Sequence, residues 1–280
     1  MSVFKFIRED GRVLELDRPW GIIRSTLEGL DWPDVDQGTE PYAFKDGSYW
    51  TKDQAVKRVI AFEAVCREHD ENFILRDMIG TFFNFSAFYE LYINIDGKEA
   101  YSKGKITDFE LPPGKENSIV KFSLEFTSTN PFLQSSSDFG RNLNEVYAKI
   151  HYPRHYLIEE KKPYSVRAFA SQVDIVNTGV VETGFVATVL FAEDTSSFTL
   201  KNGSGQKLEI TRAFTAGDLL QIDTSDGVAR LNGVKFYKGI SAESEFFLLS
   251  PGVNALSYNA AAGESTMDIN IYFRSQRVVF

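Results

Sequence analysis

Apolar and polar side chains alternate with a period of two through most of residues 166–280. In "STMDINIYFRSQ", Met267, Ile269, Ile271 and Phe273 take every second position against polar neighbours, which predicts a half-buried strand with one wet face. "TGFVATVLFAED" holds an extended apolar run from Phe185 to Ala192. "SSFTLKNGSGQKLEITRAF" reads as two strands joined at Asn202-Gly203-Ser204-Gly205. "TAGDLLQIDTSDGVARLNGVKFY" adds three more, punctuated by Ala216-Gly217-Asp218, Asp226-Gly227 and Asn232-Gly233. "EFFLLSPGVNALSYN", residues 245–259, predicts two further strands on either side of Ser250-Pro251-Gly252. Seven or more short strands at this spacing predict a β-sandwich or jelly roll.

Residues 1–130 are patterned differently. "FKFIREDGRVLELD" predicts a hairpin over Asp10-Gly11, and "FYELYINIDGKEAYSKGKITDFEL" another over Asp96-Gly97. "PWGIIRSTLEGLDWPDVDQGTEPYAFKDGSYW" reads as turn-rich, and "QAVKRVIAFEAVC" as a strand. "ENFILRDMIGTFFN" predicts a helix, with Ile74, Met78 and Phe82 at i, i+4 and i+8 as its apolar stripe. "NSIVKFSLEFTSTNPFL" is a long strand that ends at Asn130-Pro131, because proline cannot donate to a ladder. The expected fold class is mainly β: an N-terminal β-sheet domain with one helix (1–130), a connector (131–165) with a polar Gln134–Asp138 tract, and a C-terminal β-sandwich (166–280).

Composition narrows the class. A hydrophobic content of 43% with 24 Phe in 280 residues can fill a sizeable core. No apolar run approaches the ~20 residues of a membrane span, so no membrane partner is expected. "MSVFKFIREDGR" is charged too early for a signal peptide, so the expectation is a protein made and used without export. The net charge of −9 is uneven: residues 1–130 hold 16 basic and 23 acidic side chains, hence −7, and residues 131–280 hold 14 and 16, hence −2. An acidic N-terminal half argues against gripping nucleic acid by its phosphates. It suits a surface that DNA passes without sticking, although plain solubility explains it as well.

Candidate chemistry is sparse. The histidines are His69, His151 and His155; the last two have helical i, i+4 metal spacing, but Pro153 between them breaks that helix. Cys66 is the single cysteine, which rules out an internal disulfide, and it reads better as a small core hydrophobe than as a nucleophile. Asp223-Thr-Ser-Asp226-Gly227 fails the alternate-oxygen spacing of a calcium loop and reads as turn chemistry. Gly203-Ser204-Gly205 lacks the lysine and following helix of a phosphate loop, and no Gly-x-Ser-x-Gly elbow is present. A glycosidase-type pair of carboxylates stays open, since any two could meet in space. Sugar-binding sandwiches stack pyranose rings on aromatics, Trp above all. Here Trp20, Trp32 and Trp50 all lie in the N-terminal half, and Tyr237, Tyr258 and Tyr272 read as packing residues. The residues therefore nominate no catalytic, cofactor-binding or metal-ligating side chain, no cofactor and no enzyme.

The order of these parts resembles the distal tail proteins of long, non-contractile-tailed (siphovirus) phages. The resemblance covers nearly the whole chain. It rests on an Asp-Gly turn, a strand such as "KRVIAFEAVC", a helix such as "FILRDMIGTFF", and a strand ending in "FTSTNPFL". It continues through "VNTG" at 176–179, "GDLLQIDTSDGVARLNG" at 217–233 and "LLSPGVNALSY" at 248–258. The resemblance implies a galectin-like C-terminal sandwich that lacks sugar-binding residues, and N-terminal domains that close a homohexameric ring. It implies a tail-tube protein, a tail-associated tip protein and receptor-binding proteins as partners. Genomic DNA would be met only in passage, and the place of work would be the phage tail tip of the virion, after synthesis in the host cytoplasm. The connector is longer than the family pattern. Competing readings are a glycan-binding adhesin of a phage or cell surface, which glycan-array binding would reveal, and, more weakly, a wall-degrading hydrolase.

Overall fold

The computed structural model describes residues 2–66, 72–113, 119–136, 139–143, 145–148, 165–168 and 172–280. The chain divides into two compact units. One comprises the residues up to 136 together with 276–280; the other comprises 137–275.

The first unit is built on an antiparallel sheet. Its strands are β1 (Ser2–Arg8), β2 (Val13–Leu16), β3 (Trp20–Ile22), β4 (Asp34–Pro41), β5 (Ser48–Cys66), β6 (Phe88–Ile95), β7 (Lys98–Glu110), β8 (Val120–Ser128) and β9 (Leu133–Gln134). The main path runs β2-β1-β6-β7-β8-β5-β3. The expected hairpins form over Asp10-Gly11 and Asp96-Gly97. At the second, Asp96 and Gly97 both take positive φ (53° and 86°), the two-residue turn whose twist matches the flanking strands. One face of the sheet carries an aromatic core in which Phe4 meets Phe62 at 4.9 Å between ring centroids and Phe6 meets Phe83 at 5.4 Å, both edge-on.

Helix α1 (Asn72–Phe82) closes this core. The helix falls where the sequence predicts it, but the buried stripe differs. Ile79, Phe82 and the following Phe83 are buried with Leu75 packed beside them, whereas Ile74 is 63% exposed and Met78 is exposed too. Because "FILRDMIGTFF" is apolar around more than half its circumference, two stripes one position apart satisfy the same period. The one that meets Phe6, Tyr89 and Phe122 wins.

The second unit is a sandwich. Its strands are β10 (Phe139–Asn142), β11 (Glu145–Ala148), β12 (Ser165–Ala168), β13 (Val173–Asn177), β14 (Val186–Leu190), β15 (Thr195–Asn202), β16 (Lys207–Phe214), β17 (Leu219–Asp223), β18 (Val228–Leu231), β19 (Val234–Phe236), β20 (Gly252–Ala260) and β21 (Asp268–Phe273). A six-stranded sheet runs β10-β21-β14-β17-β18-β19 and a four-stranded sheet runs β13-β20-β15-β16; β11 and β12 pair with each other. Both main sheets point alternate side chains into one core. Ala187, Val189, Leu220, Ile222, Ile269 and Ile271 come from the first, and Ile175, Phe198, Leu200, Leu208, Ile210 and Leu256 from the second. The alternation of Met267, Ile269, Ile271 and Phe273 is realised, with all four buried.

Three expectations need correction. First, "EFFLLS" is not a strand. Phe247 and Leu249 bury their side chains, but the backbone bonds go to different partners: Glu245 N–H donates to Lys207 O (2.9 Å) and Leu249 N–H to Thr183 O (2.8 Å). No ladder can grow on split pairing; a strand begins only at Gly252. Second, the stretch read as turn-rich contains β3, β4 and the first three residues of β5. Third, the connector drawn at 131–165 is shorter where it is described. β9 pairs with Tyr101 of the first sheet, and β10 adds an edge strand to the six-stranded sheet. The chain also returns: strand β22 (Gln276–Arg277) pairs with β9, which places residues 276–280 in the first unit. A polar Ser-rich tract hides both strands from a reading of apolar periodicity.

Candidate assembly surface

The residues singled out for chemistry do not converge. Cys66 ends β5 fully buried, beside Trp20 across the ladder, which leaves its thiol no access to a substrate. His69, His151, Pro153 and His155 lie outside the described residues. Asp223 caps its own turn, its Oδ1 accepting the N–H groups of Ser225 (3.0 Å) and Asp226 (3.2 Å). Asn202, at the Gly203-Ser204-Gly205 turn, accepts the N–H of Ser204 and of Gln206. Among the described residues, no three His, Cys, Asp or Glu side chains come together to hold a metal ion. No helix of the described residues is long and apolar enough to cross a membrane. Trp20 and Tyr258 are buried as packing residues; Tyr237 and Tyr272 are exposed, contrary to the packing role expected of them.

What stands out is a two-stranded arm. Strands β4 and β5 pair from Asp34↔Lys57 to Pro41↔Ser48, in a ladder separate from the main sheet. Only from Arg58 onward does β5 pair with β8. Along the arm almost every residue is exposed on both faces. Its large apolar groups are wet: Phe44 at the tip is fully exposed and Trp50 is 67% exposed, while Trp32, just before the arm, is 73% exposed. An isolated two-stranded hairpin is marginally stable in water. What holds this one is its rim. Lys52 pairs with Asp36, Lys57 with Asp34 at 3.7 Å, and Gln37 Nε2 donates to Asp53 at 3.3 Å. The Tyr49 hydroxyl donates to Glu40 at 2.8 Å, which pushes the Tyr49 hydroxyl pKa up from its ordinary value. Tyr42 and Tyr49 rings meet at 5.5 Å, with Lys45 Nζ 4.2 Å above Tyr42. Exposed pairs of this kind are screened by water and each contributes little. Register shifts at Asp34/Val35 and Gly38/Thr39 interrupt the arm's edges, a device that discourages indiscriminate strand pairing. The sequence signal for this arm was present in Trp32, Tyr42, Phe44 and Trp50: four large aromatics in a polar stretch without core periodicity.

The comparisons agree with this architecture. Residues 178–276 match the family model described as the siphovirus-type tail component, C-terminal domain. No curated protein matches by sequence. Among solved structures, the Dit protein of phage SPP1, described as a paradigm of the hub adsorption apparatus in phages infecting Gram-positive bacteria, is similar over 98% of both chains. Its TM-score is 0.68 at 14% identity. A chain of the phage P2 baseplate in its activated conformation with Ca is similar over 97% of this chain and 98% of that one, with a TM-score of 0.55 at 11% identity. The same baseplate with Sr gives the same values. Residues 178–276 thus match the siphovirus-type tail component family, and the whole chain shares its fold with the Dit protein of phage SPP1, in keeping with the distal tail proteins that the sequence resembles.

Proposed function

We propose that this chain is a non-enzymatic structural protein of a phage tail tip. Six copies would form a homohexameric ring that joins the tail tube to the baseplate and host-adsorption apparatus and lets genomic DNA pass through its lumen. The observation that carries this reading is the arm at residues 34–57. It exposes aromatics that its own unit leaves uncovered. An arm on one side of a subunit that needs a different surface on its neighbour makes a heterologous contact, and such contacts close into a ring when the rotation between copies closes. The −7 charge of residues 1–130 supports the passage of DNA, because a lumen lined by that half would not hold phosphates. A tail-tube protein, a tip protein and receptor-binding proteins are the neighbours such a ring would meet, and a galectin-like role for the second unit would be to dock them.

Light scattering and electron microscopy of the purified protein test this. Six-fold rings that dissociate on Trp50→Ser or Phe44→Ser are expected. A monomer at all salt concentrations and at micromolar protein would sink the reading. The glycan-binding alternative has one observation in its favour: exposed Tyr272 packs over Gly140, where a Cβ would come within 3.0 Å of its ring. Glycan-array binding lost on Tyr272→Ala would favour that alternative.

A further inference from the structure

Arg58 sits where β5 leaves the arm and joins the main sheet: Lys57 still pairs with β4, and Arg58 already pairs with Ser128 of β8. It is fully buried, and among the described residues no other charged side chain is in that state. A buried cation is retained only where hydrogen bonds replace its water. Here they come from backbone carbonyls of three distant segments. Nε donates to Pro131 O at 2.8 Å, Nη1 to Gly29 O at 2.5 Å and Asp31 O at 3.3 Å, and Nη2 to Val278 O at 2.5 Å. The planar fork of guanidinium can serve such divergent acceptors at once. Around it the chain end is tied twice more. Gln276 and Arg277 pair with Gln134 and Leu133, and Phe280 packs on the first unit's core while its N–H donates to Leu30 O at 3.0 Å. Gly29, in the same cluster, lies so close that a Cβ would stand 1.8 Å from Val59 O.

We infer that residues 276–280 are a strap that completes the first unit, that Arg58 fastens it, and that the fastening fixes the root of the arm. Residues 137–275 are then a module inserted between two paired strands, β9 and β22, and not a C-terminal appendage. Where the arm mediates ring closure, which rests on the function proposed above, only a chain that carries residues 276–280 presents the arm in a fixed direction.

The test compares the full chain with a chain ending at Ser275, with Arg58→Met, and with both changes combined, by amide hydrogen exchange. Shortening the chain is expected to speed exchange at least tenfold in the 28–31 loop and at 57–59, and to leave β14 and β21 unchanged. Arg58→Met should do the same alone, and the combination should add less than twofold, because both changes remove one shared fastening. Arg58→Lys should not restore protection, since one ammonium cannot span the three segments. Should the shortened chain be insoluble, Phe280→Ser in the full chain carries the same comparison. Unchanged exchange on shortening, or effects that multiply in the combined variant, overturns the strap. Light scattering on the same samples separates the two readings. A full chain that never forms rings overturns the ring while exchange still decides the strap. Loosened variants that assemble as well as the full chain overturn the link between strap and arm.

Discussion

The arm formed by β4 and β5 and the hairpin formed by β15 and β16 follow the same local rules and reach opposite ends. Both are antiparallel pairs of eight or so residues closed by a Gly-containing turn. In β15–β16 the pairs Phe198↔Ile210 and Leu200↔Leu208 bury all four side chains, and β20 continues the ladder on the far side. In the arm, neither face is covered, and beyond the backbone ladder the pairing has only rim contacts. Turn chemistry makes a hairpin; burial decides whether it is part of a core or a surface awaiting a partner.

The largest break in that comparison should come from Phe198→Ala, which empties a fully buried site. A loss of about 3–5 kcal/mol in urea-induced unfolding is expected. Gly239→Ala should follow. Its φ of 99° is disfavoured for any side chain, and the new Cβ would stand 2.6 Å from Thr211 O on β16. A loss of about 1–3 kcal/mol is expected in the same assay. Trp50→Ser on the arm should change the stability of the isolated protomer by no more than about 0.5 kcal/mol, even as it removes assembly. A larger loss would mean that the arm is covered within its own unit.

The smallest effects lie at opposite ends of the pH scale. The Asp218 carboxyl accepts the Thr215 N–H (2.8 Å) and the Asn232 side-chain amide (2.8 Å), and these bonds hold its pKa below the ordinary 3.8. Its contribution to the second unit is therefore present above pH 3.8 and lost as pH falls through the lower folded value. Tyr49 runs the other way. Its pKa is raised above 10.0 by the bond to Glu40, so its contribution to the arm is present below pH 10 and lost as pH rises through the folded value. Nuclear magnetic resonance titration of the two sites should show the Asp218 turn loosening in acid and the Tyr49 hydroxyl leaving Glu40 in alkali. Both should be flat between pH 5 and 9.

Much of this was legible in the sequence because turn residues act locally. Asp10-Gly11, Asp96-Gly97, Asn202-Gly203, Asp226-Gly227 and Asn232-Gly233 all close hairpins where expected, four of those glycines at positive φ. The helix was legible too, yet its buried stripe was not, because Ile74 and Leu75 are equivalent until Phe83 and Tyr89 are in place. The arm escaped because its pattern encodes no core of its own. The strap escaped for a different reason: nothing local in "SQRVVF" points to Leu133 or Arg58, and the bond between Arg58 and Val278 spans 220 residues. The surface proposed for assembly was thus visible only as unexplained aromatics, and its support was not visible at all.

The strap also places an order on events during synthesis. Residues up to 136 leave the ribosome before the segment that finishes their sheet has been made. At ~5–20 residues per second the intervening residues 137–275 take roughly 7–28 s to appear. For that interval the first unit holds Arg58 short of one carbonyl and its core short of Phe280, while the inserted unit lacks β21, the partner of β10 and β14, until residues 268–273 are made. Neither unit can close before residues 268–277 are made, and the earlier-made one waits the longer for its missing strand.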